Sequence, residues 1–251
     1  MKKSTFLAPG NFFKTKKQIL KAEIKKLIKA NKINDEKVIA ELLEKDIDID
    51  KAIYFAISHG STLKQIKTLI SLSASKLPNE YLYKAVHQGR LDLVQYFIEE
   101  KGFCVNTTMD NHVHGGAILS IATMGEHIDV IDYLLKNGAI ASQGVISAIL
   151  KGNVEILEKL FKYGATAHDG YSEDLVALLV NAAIPADDPT YCKSSDSETK
   201  KDLSNYVKML ELLLEHGGNP NAEFLERGPV ILIALSALMD EPKNDTYKAI
   251  A

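Results

Sequence analysis

Several features that are scarce in this sequence exclude whole classes of protein. The two cysteines, Cys104 and Cys192, lie far apart and outside any C-x-x-C pair, which argues against a disulfide framework and fits a reducing compartment. The longest apolar stretch, Val230–Met239, is about half of the roughly 20 residues that a bilayer span needs. Near the amino terminus, Thr5–Phe13 is broken by a proline and a glycine and is too short for a secretory signal. A soluble, cytoplasmic protein is therefore predicted.

Arginine is also scarce, and charge is unevenly placed. Arg90 and Arg227 are the two arginines among 30 basic residues. Because arginine dominates bidentate recognition of bases and phosphates, a sequence-specific nucleic-acid reader is disfavoured. Residues 1–33 hold ten lysines and one acid, a net charge of +9, which leaves −12 for the rest of the chain. That acidic remainder would repel a phosphate backbone and favours a basic patch on a partner protein.

What the sequence does contain is one helical pattern that recurs four times. Each copy has apolar residues at relative positions 1, 3, 4, 7 and 8, which form one wide helical face. A glycine follows each copy closely and would end the helix in the left-handed region. A helix of about three turns cannot bury so wide a face alone, so neighbours on both sides are expected. The copies and their glycines are Leu91–Ile98 with Gly102, Ile128–Leu135 with Gly138, Val154–Phe161 with Gly164, and Val207–Leu214 with Gly217.

A shorter helix is predicted before each of the first three copies. These helices occupy Tyr81–Arg90, Ala117–Glu126 and Val145–Gly152. Each has an alanine in its middle, where two helices must approach closely, namely Ala85, Ala122 and Ala148. A glycine or its neighbour then turns the chain by about 180° into the longer helix. Two antiparallel helices of unequal length, repeated along the chain, predict an all-α stacked solenoid.

These repeats resemble the ankyrin family, whose pattern is a T-P-L-H-x-A-A helix, a Gly-His turn, a V-x-x-L-L-L helix and a G-A-D-x-N hairpin. His127 stands at the turn histidine, and the pairs Gly138-Ala139 and Gly164-Ala165 stand at G-A. Gly218-Asn219-Pro220-Asn221 matches the hairpin. The resemblance covers roughly residues 50–251. It implies an ankyrin solenoid of about five to six helix-turn-helix repeats.

The repeats depart from the family pattern in ways that affect the expected shape. Turn glycines at positions 60, 89, 125 and 152 are separated by 29, 36 and 27 residues, whereas the family period is about 33. No T-P-L-H is intact, and Gly125 is displaced by one position, with Glu126 in the usual place of the glycine. Ala52–Gly60 and Leu63–Ile70 look like a further, worn repeat. We expect uneven curvature along the stack.

The remaining segments are assigned around this array. Residues 1–13 are predicted to be disordered and residues 14–49 to form an N-terminal helical cap. Lysines spaced four apart on one face of that cap leave contact with an anionic membrane or an acidic partner open as an alternative; they are Lys17, Lys21, Lys25 and Lys29. An insertion at 184–203 interrupts one repeat. The last repeat is incomplete at residue 251, so we expect the sequence to be part of a longer protein.

Catalytic and metal-binding motifs were sought and are missing from the sequence. It contains no G-x-G-x-x-G after a strand, no P-loop, no H-E-x-x-H and no G-x-S-x-G. The side chains of Cys104, His112, His114 and His127 have zinc-ligand chemistry, but their C-x₇-H-x-H spacing is not a recognised metal pattern. Nothing in the sequence pairs Cys104 with an activating base. We therefore expect no enzyme activity, no cofactor and no metal.

The family resemblance implies binding of another protein instead. In ankyrin-like solenoids the hairpin tips and the exposed side of the first helices form a concave groove that holds partners. The positions that this implies are Lys84, His87, Gln88 and Met124 on first helices, and Thr107, Asp110, Asn111, His112, Glu223, Phe224 and Glu226 at hairpin tips. Phe224 is singled out because an aromatic side chain at an exposed tip is typical of an interface anchor. A monomer is expected.

Two readings of such a module remain open. The worn repeats and the lysine- and isoleucine-rich composition resemble the ankyrin effectors that intracellular bacteria deliver into host cells, and poxvirus ankyrin proteins are similar in composition. The alternative is a substrate-recruiting domain of a longer enzyme whose catalytic part lies beyond residue 251.

Overall fold

The computed structural model describes residues 48–73, 76–108, 116–167, 175–183 and 203–221. It also describes Ala22, Lys26 and Lys29, which are helical and exposed. The predicted disordered start at 1–13, most of the cap at 14–49, nearly all of the insertion at 184–203 and the incomplete last repeat lie outside the described residues. The chain divides into two units, residues 1–88 and residues 89–251.

Three helices make up the described part of the first unit: α1 (Ile49–Ser58), α2 (Leu63–Ser71) and α3 (Glu80–His87). α1 packs against both of the others. Its buried side chains are Ala52, Ile53, Ala56 and Ile57, which repeat at the helical spacing of three and four. The worn repeat predicted at Ala52–Ile70 is therefore a helix pair.

Side-chain hydrogen bonds hold the ends of these helices. Thr62 and Gln65 form a reciprocal capping box at the start of α2, which satisfies two backbone N–H groups that the helix itself leaves unpaired. The Tyr81 hydroxyl donates to Asp50 Oδ1 at 2.9 Å and so ties α3 to the first turn of α1. Burial, together with this bond, raises the pKa of the Tyr81 hydroxyl well above its usual value.

The described part of the second unit alternates short and long helices. In chain order they are α4 (Leu91–Gln95), which continues as a π-helical segment Tyr96–Glu100, α5 (Ile118–Met124), α6 (Ile128–Lys136), a 3₁₀ turn Ala141–Gly144, α7 (Val145–Lys151), α8 (Val154–Lys162), α9 (Leu175–Ala183) and α10 (Leu203–Glu215). The pairs α5/α6, α7/α8 and α9/α10 each pack together. The first helices also stack in order, α5 on α7 and α7 on α9, while α8 packs on α10. The predicted all-α stack of helix pairs is confirmed.

The glycines predicted to end the long helices do so in the left-handed region. The φ angles of Gly102, Gly138, Gly164 and Gly217 are 70°, 88°, 89° and 91°, where a residue with a Cβ is strained. Just after three of them, a backbone N–H reaches back five residues: Ala139 to Leu134, Ala165 to Leu160 and Gly218 to Leu213. This is the longer hydrogen bond of a Schellman cap.

The first long helix of the second unit carries one extra residue, and a π-helical segment absorbs it. Gly102 follows Leu91 by eleven positions, whereas the other three capping glycines follow their first apolar residue by ten. The corresponding cap bond, from Phe103 N–H to the Phe97 carbonyl, spans six residues instead of five. A one-residue insertion within a helix is the usual origin of a π-bulge. The insertion also leaves Tyr96 buried, which the apolar pattern had not indicated.

The predicted apolar face is buried at positions 3, 4 and 7 of all four copies, whereas position 1 is half-buried in each. In α6 and α8, positions 3, 4, 7 and 8 of the pattern are all buried, for example Leu134 and Leu160. At position 8 of the other two copies, Ile98 is half-buried and Leu214 is 40% exposed.

Candidate functional site

The turn between α5 and α6 explains the displaced glycine in the sequence. The imidazole of His127 packs so closely that a Cβ on Gly125 would lie 2.5 Å from its Nε2 and one on Gly89 would lie 2.6 Å from its Nδ1. Gly125 itself has a right-handed φ of −83°. The glycine there is needed for the close approach of the ring, and the left-handed turn position falls on Glu126, at φ 54°.

Glu126 is held in this conformation by the next repeat. Asn153 Nδ2 donates to its Oε1 at 2.9 Å, and Lys151 Nζ lies 3.7 Å from its Oε2. These three residues line a polar cleft of about 450 Å³ together with Glu155 and Asn205. The carboxylate of Glu126 is thus used to join neighbouring turns.

The first helices of the second unit leave apolar side chains outside the packed core. Met124 is 41% exposed, and five further apolar residues of α5, α7 and α9 are half-buried. We call this set the apolar strip: Ile121, Met124, Ile146, Leu150, Leu178 and Ala182. No charged residue occurs in α5 or α9, and in α7 the one charged residue is Lys151, at the last position.

The first unit places polar groups at the corresponding positions of α3. The side chain of Lys84 is half-buried, with its Nζ 5.3 Å from the ring centroid of Tyr54, a cation–π distance. His87 and Gln88 are exposed, and Gln88 Nε2 lies 3.4 Å from His87 Nδ1. The three residues predicted on this helix therefore form a polar surface.

In the hairpin before α5, the predicted residue Thr107 serves the fold. Its hydroxyl donates to the Cys104 carbonyl at 2.6 Å, and its own carbonyl accepts from the Ile118 N–H. The hydroxyl is therefore engaged within the hairpin. Of the remaining predicted tip residues, Asp110, Asn111, His112, Glu223, Phe224 and Glu226 lie outside the described residues.

Two hairpin residues that the sequence analysis missed are prominent in the structure. Asn106 bridges to the following hairpin, with Nδ2 donating to the Gly138 carbonyl at 3.0 Å and Oδ1 accepting from the Ile140 N–H at 2.9 Å. The signal was present, because Asn106 follows Gly102 at the spacing of the asparagine in G-A-D-x-N. Ile140 is 51% exposed and stands where that pattern has aspartate.

Among the described residues of the second unit, the charged side chains lie on the long helices and at the turns. Lys159 Nζ lies 2.6 Å from Asp132 Oδ1, joining α8 to α6. The Tyr133 hydroxyl donates to Glu99 Oε1 at 2.9 Å, and partial burial with this bond raises the pKa of Tyr133 to about 12. These contacts link successive long helices.

Of the four residues considered for metal chemistry, Cys104 and His127 are described, whereas His112 and His114 lie outside the described residues. Cys104 is exposed, with its Sγ accepting from the Asn106 N–H at 3.4 Å, while the His127 ring is packed in the turn. Among the described residues, no group of three or more His, Cys, Asp or Glu side chains is arranged to hold a metal ion. In the same part of the chain, no helix combines the length and apolar character needed to cross a membrane.

Comparison with known proteins identifies the family. No family model matches the chain. A protein of Rickettsia bellii (strain RML369-C), named as an ankyrin repeat protein, is 79% identical over 267 aligned residues, which cover 100% of this chain and 73% of that protein. At this identity and coverage the two share one fold, and the helix pairs, turn histidine and hairpin glycines described above fit it. The chain belongs to the ankyrin repeat family.

Proposed function

We propose that this chain is a protein-interaction module that holds one partner protein against its first helices and hairpins. The supporting observation is that Met124 and Ile140, on a first helix and on a hairpin of the second unit, are 41% and 51% exposed. A contiguous group of exposed apolar side chains is typical of interaction sites, and the apolar strip extends from Met124 onto α7 and α9. Lys84, His87 and Gln88 of the first unit belong to the same proposal as a polar contact surface.

The architecture separates binding from folding. In a solenoid each repeat packs on its neighbours through buried faces, so the outward side of the first helices is free to vary without loss of the stack. The buried residues of α5, such as Leu119 and Ala122, serve the packing, while Met124 contributes little to it. The predicted tip residues Asp110, Asn111, His112, Glu223, Phe224 and Glu226 stay part of the proposal, untested.

The test is partner capture with matched surface variants. The full chain serves as bait in a cell lysate, and bound proteins are identified by mass spectrometry. The variant Met124→Lys/Ile140→Lys should lose the specific partner. The control Tyr163→Lys/Leu214→Lys should retain it, because it changes two apolar residues of similar exposure, 42% and 40%, at the ends of long helices. A partner that only the control variant loses would refute the proposed surface.

The same proposal includes an effector role, in which a monomeric module acts on proteins in the cytosol of a host cell. It is supported by the compositional resemblance described above and by the bacterial source of the relative. A translocation reporter fused to the chain should give signal in host cytosol during co-culture. Signal confined to the bacteria would contradict the effector role and leave the binding module intact.

A further inference from the structure

We propose that the apolar strip binds the apolar face of an amphipathic α-helix supplied by the partner protein. This inference rests on the proposed function and names the chemistry of the partner segment. Three properties of the strip carry it: its continuity across three helices, its lack of charge, and the burial of the hydroxyl groups among the described side chains of α5 and α7.

The strip is continuous because its residues share a face on each helix and the helices are neighbours. Ile121 and Met124 are three apart, and Ile146 and Leu150 are four apart, so each pair lies on one side of its helix. The pair Leu178 and Ala182 on α9 has the same spacing of four. α5 packs on α7 and α7 on α9. With helix axes about 8–10 Å apart, the strip is roughly 20 Å wide.

Charge complementarity selects an uncharged contact face. The described first helices of the second unit hold a single charged residue, Lys151, and that residue lies at the turn beside Glu126. A charged partner side chain placed on the strip would lose its hydration without gaining a counter-ion. The acidic excess of the chain had favoured a basic patch on the partner, but the other charged side chains among the described residues of this unit lie on the long helices and at the turns. The partner surface that fits the strip is therefore apolar.

The absence of hydrogen-bonding groups favours a helix over an extended segment. The hydroxyls of Ser120 and Ser147 are buried and bonded to one another at 2.7 Å, and Thr123 is buried as well. An extended peptide laid on the strip would find no partners for the backbone groups that face it. A helix satisfies those groups internally and presents only side chains, as in known helix-in-groove complexes.

The edges of the strip complete the match to an amphipathic segment. Glu126 and Lys151 stand at the turn edge, and Ser142 and Gln143 stand at the hairpin edge. Polar groups around an apolar centre are the usual arrangement of an interface. At 1.5 Å per residue, a helix that crosses the strip needs roughly 14 residues.

Two peptide-display libraries of equal composition test the inference, with the full chain as bait. One library spaces apolar residues at i, i+3, i+4 and i+7, and the other alternates apolar and polar residues. We expect enrichment from the helical library alone. A selected peptide should bind about tenfold more weakly to Met124→Lys, because the new charge is desolvated against the peptide, and equally well to Tyr163→Lys. A proline in the middle of the peptide should abolish binding because it breaks the helix.

The contrary outcomes are equally definite. Winners from the alternating library, winners with charges at the contacting positions, or enrichment from neither library would overturn the inference. So would self-association of the chain that Met124→Lys disrupts, because the occupant would then be a second copy. If lysate capture yields a partner that Met124→Lys/Ile140→Lys loses, and crosslinking maps an extended or charged segment, this inference fails while the proposed function stands.

Discussion

The first helix α3 of the first unit and the first helices α5 and α7 of the second unit follow one backbone plan but differ in what they expose. Counted back from the turn residue, the fourth position is alanine in all three helices, and Ala85, Ala122 and Ala148 are fully buried. The second position holds His87 in α3 but Met124 in α5. Close packing of the helices requires a small residue at the buried fourth position, whereas the residue at the exposed second position can vary.

The same contrast holds at the fifth position before the turn. Lys84 of α3 corresponds to Ile121 of α5. The first unit therefore offers charged and polar groups, and the second unit offers an apolar strip. Two parts of one repeat array that share their packing rules can thus suit different chemistry in a partner. The predictions that follow test first the shared plan and then a difference between the units.

The largest expected effect is at the buried alanines. Ala85→Leu and Ala122→Leu should each lower the free energy of unfolding by about 1–3 kcal/mol, because the added methylenes have no space where two helices meet. Urea denaturation followed by far-UV circular dichroism measures the loss. The control Met124→Leu, at an exposed position, should change stability by less than about 0.5 kcal/mol. Tolerance of leucine at one alanine alone would show that the two units do not share the plan.

A smaller effect is expected at the turns. Gly152→Ala should cost about 1–2 kcal/mol because φ is 66° there and left-handed backbone is strained for a residue with a Cβ. Glu126→Ala should cost less than that, since the residue at this turn already has the left-handed backbone and only exposed contacts are lost, the hydrogen bond to Asn153 and the ion pair with Lys151. Urea denaturation of both variants provides the comparison. Equal losses of stability would mean that the left-handed backbone does not set the cost of Gly152→Ala.

The smallest effect concerns two tyrosines and depends on pH. The folded chain holds the proton of Tyr81 more tightly than the unfolded chain, because burial and the bond to Asp50 raise its pKa. The stability that this contributes is present below the ordinary tyrosine pKa of about 10 and is lost as pH rises above it. Tyr81→Phe should flatten this alkaline decline, at a cost of about 1 kcal/mol near neutral pH from the lost hydrogen bond.

Tyr133 provides the matched case in the second unit. Its pKa is raised to about 12 by partial burial and by Glu99, so Tyr133→Phe should flatten the decline in the same direction but less. Free energies of unfolding from urea titrations between about pH 8 and 11, a window around the ordinary tyrosine pKa, measure both slopes. A larger change for Tyr133→Phe than for Tyr81→Phe would contradict the inference that the pKa of Tyr81 is raised more than the pKa of Tyr133.

The helices and their ends could be predicted because their signals are local. Apolar spacing identified α6 and α8 nearly to the residue, and the capping glycines followed from the need for a left-handed residue after each helix. The displaced Gly125 was visible as an anomaly, but its cause was not. The His127 ring packs closely against Gly125 and also against Gly89, which lies far from it in the sequence. A pattern of neighbouring residues cannot predict such a contact.

The candidate site was only partly predictable for the same reason. The exposure of Met124 agrees with the position that the family resemblance implied for it, whereas Ile140 and Asn106 were missed although they occupy positions of the hairpin pattern. The extra residue before Gly102 could also be counted in advance. Whether a loop or a π-helical turn would absorb it depended on the packing of Phe97 and Tyr96.

The sequence alone determined four features: the helical repeat, the left-handed caps, the buried alanines and the lack of charge in three short segments. Each of them depends on residues within a few helical turns of one another. Folding added what spacing cannot express. The stacking of α5, α7 and α9 brings three separate uncharged faces into one strip, and the charged side chains among the described residues of the second unit lie on the long helices and at the turns. Each helix specifies its own faces, but the surface that a partner meets exists only where neighbouring helices pack together.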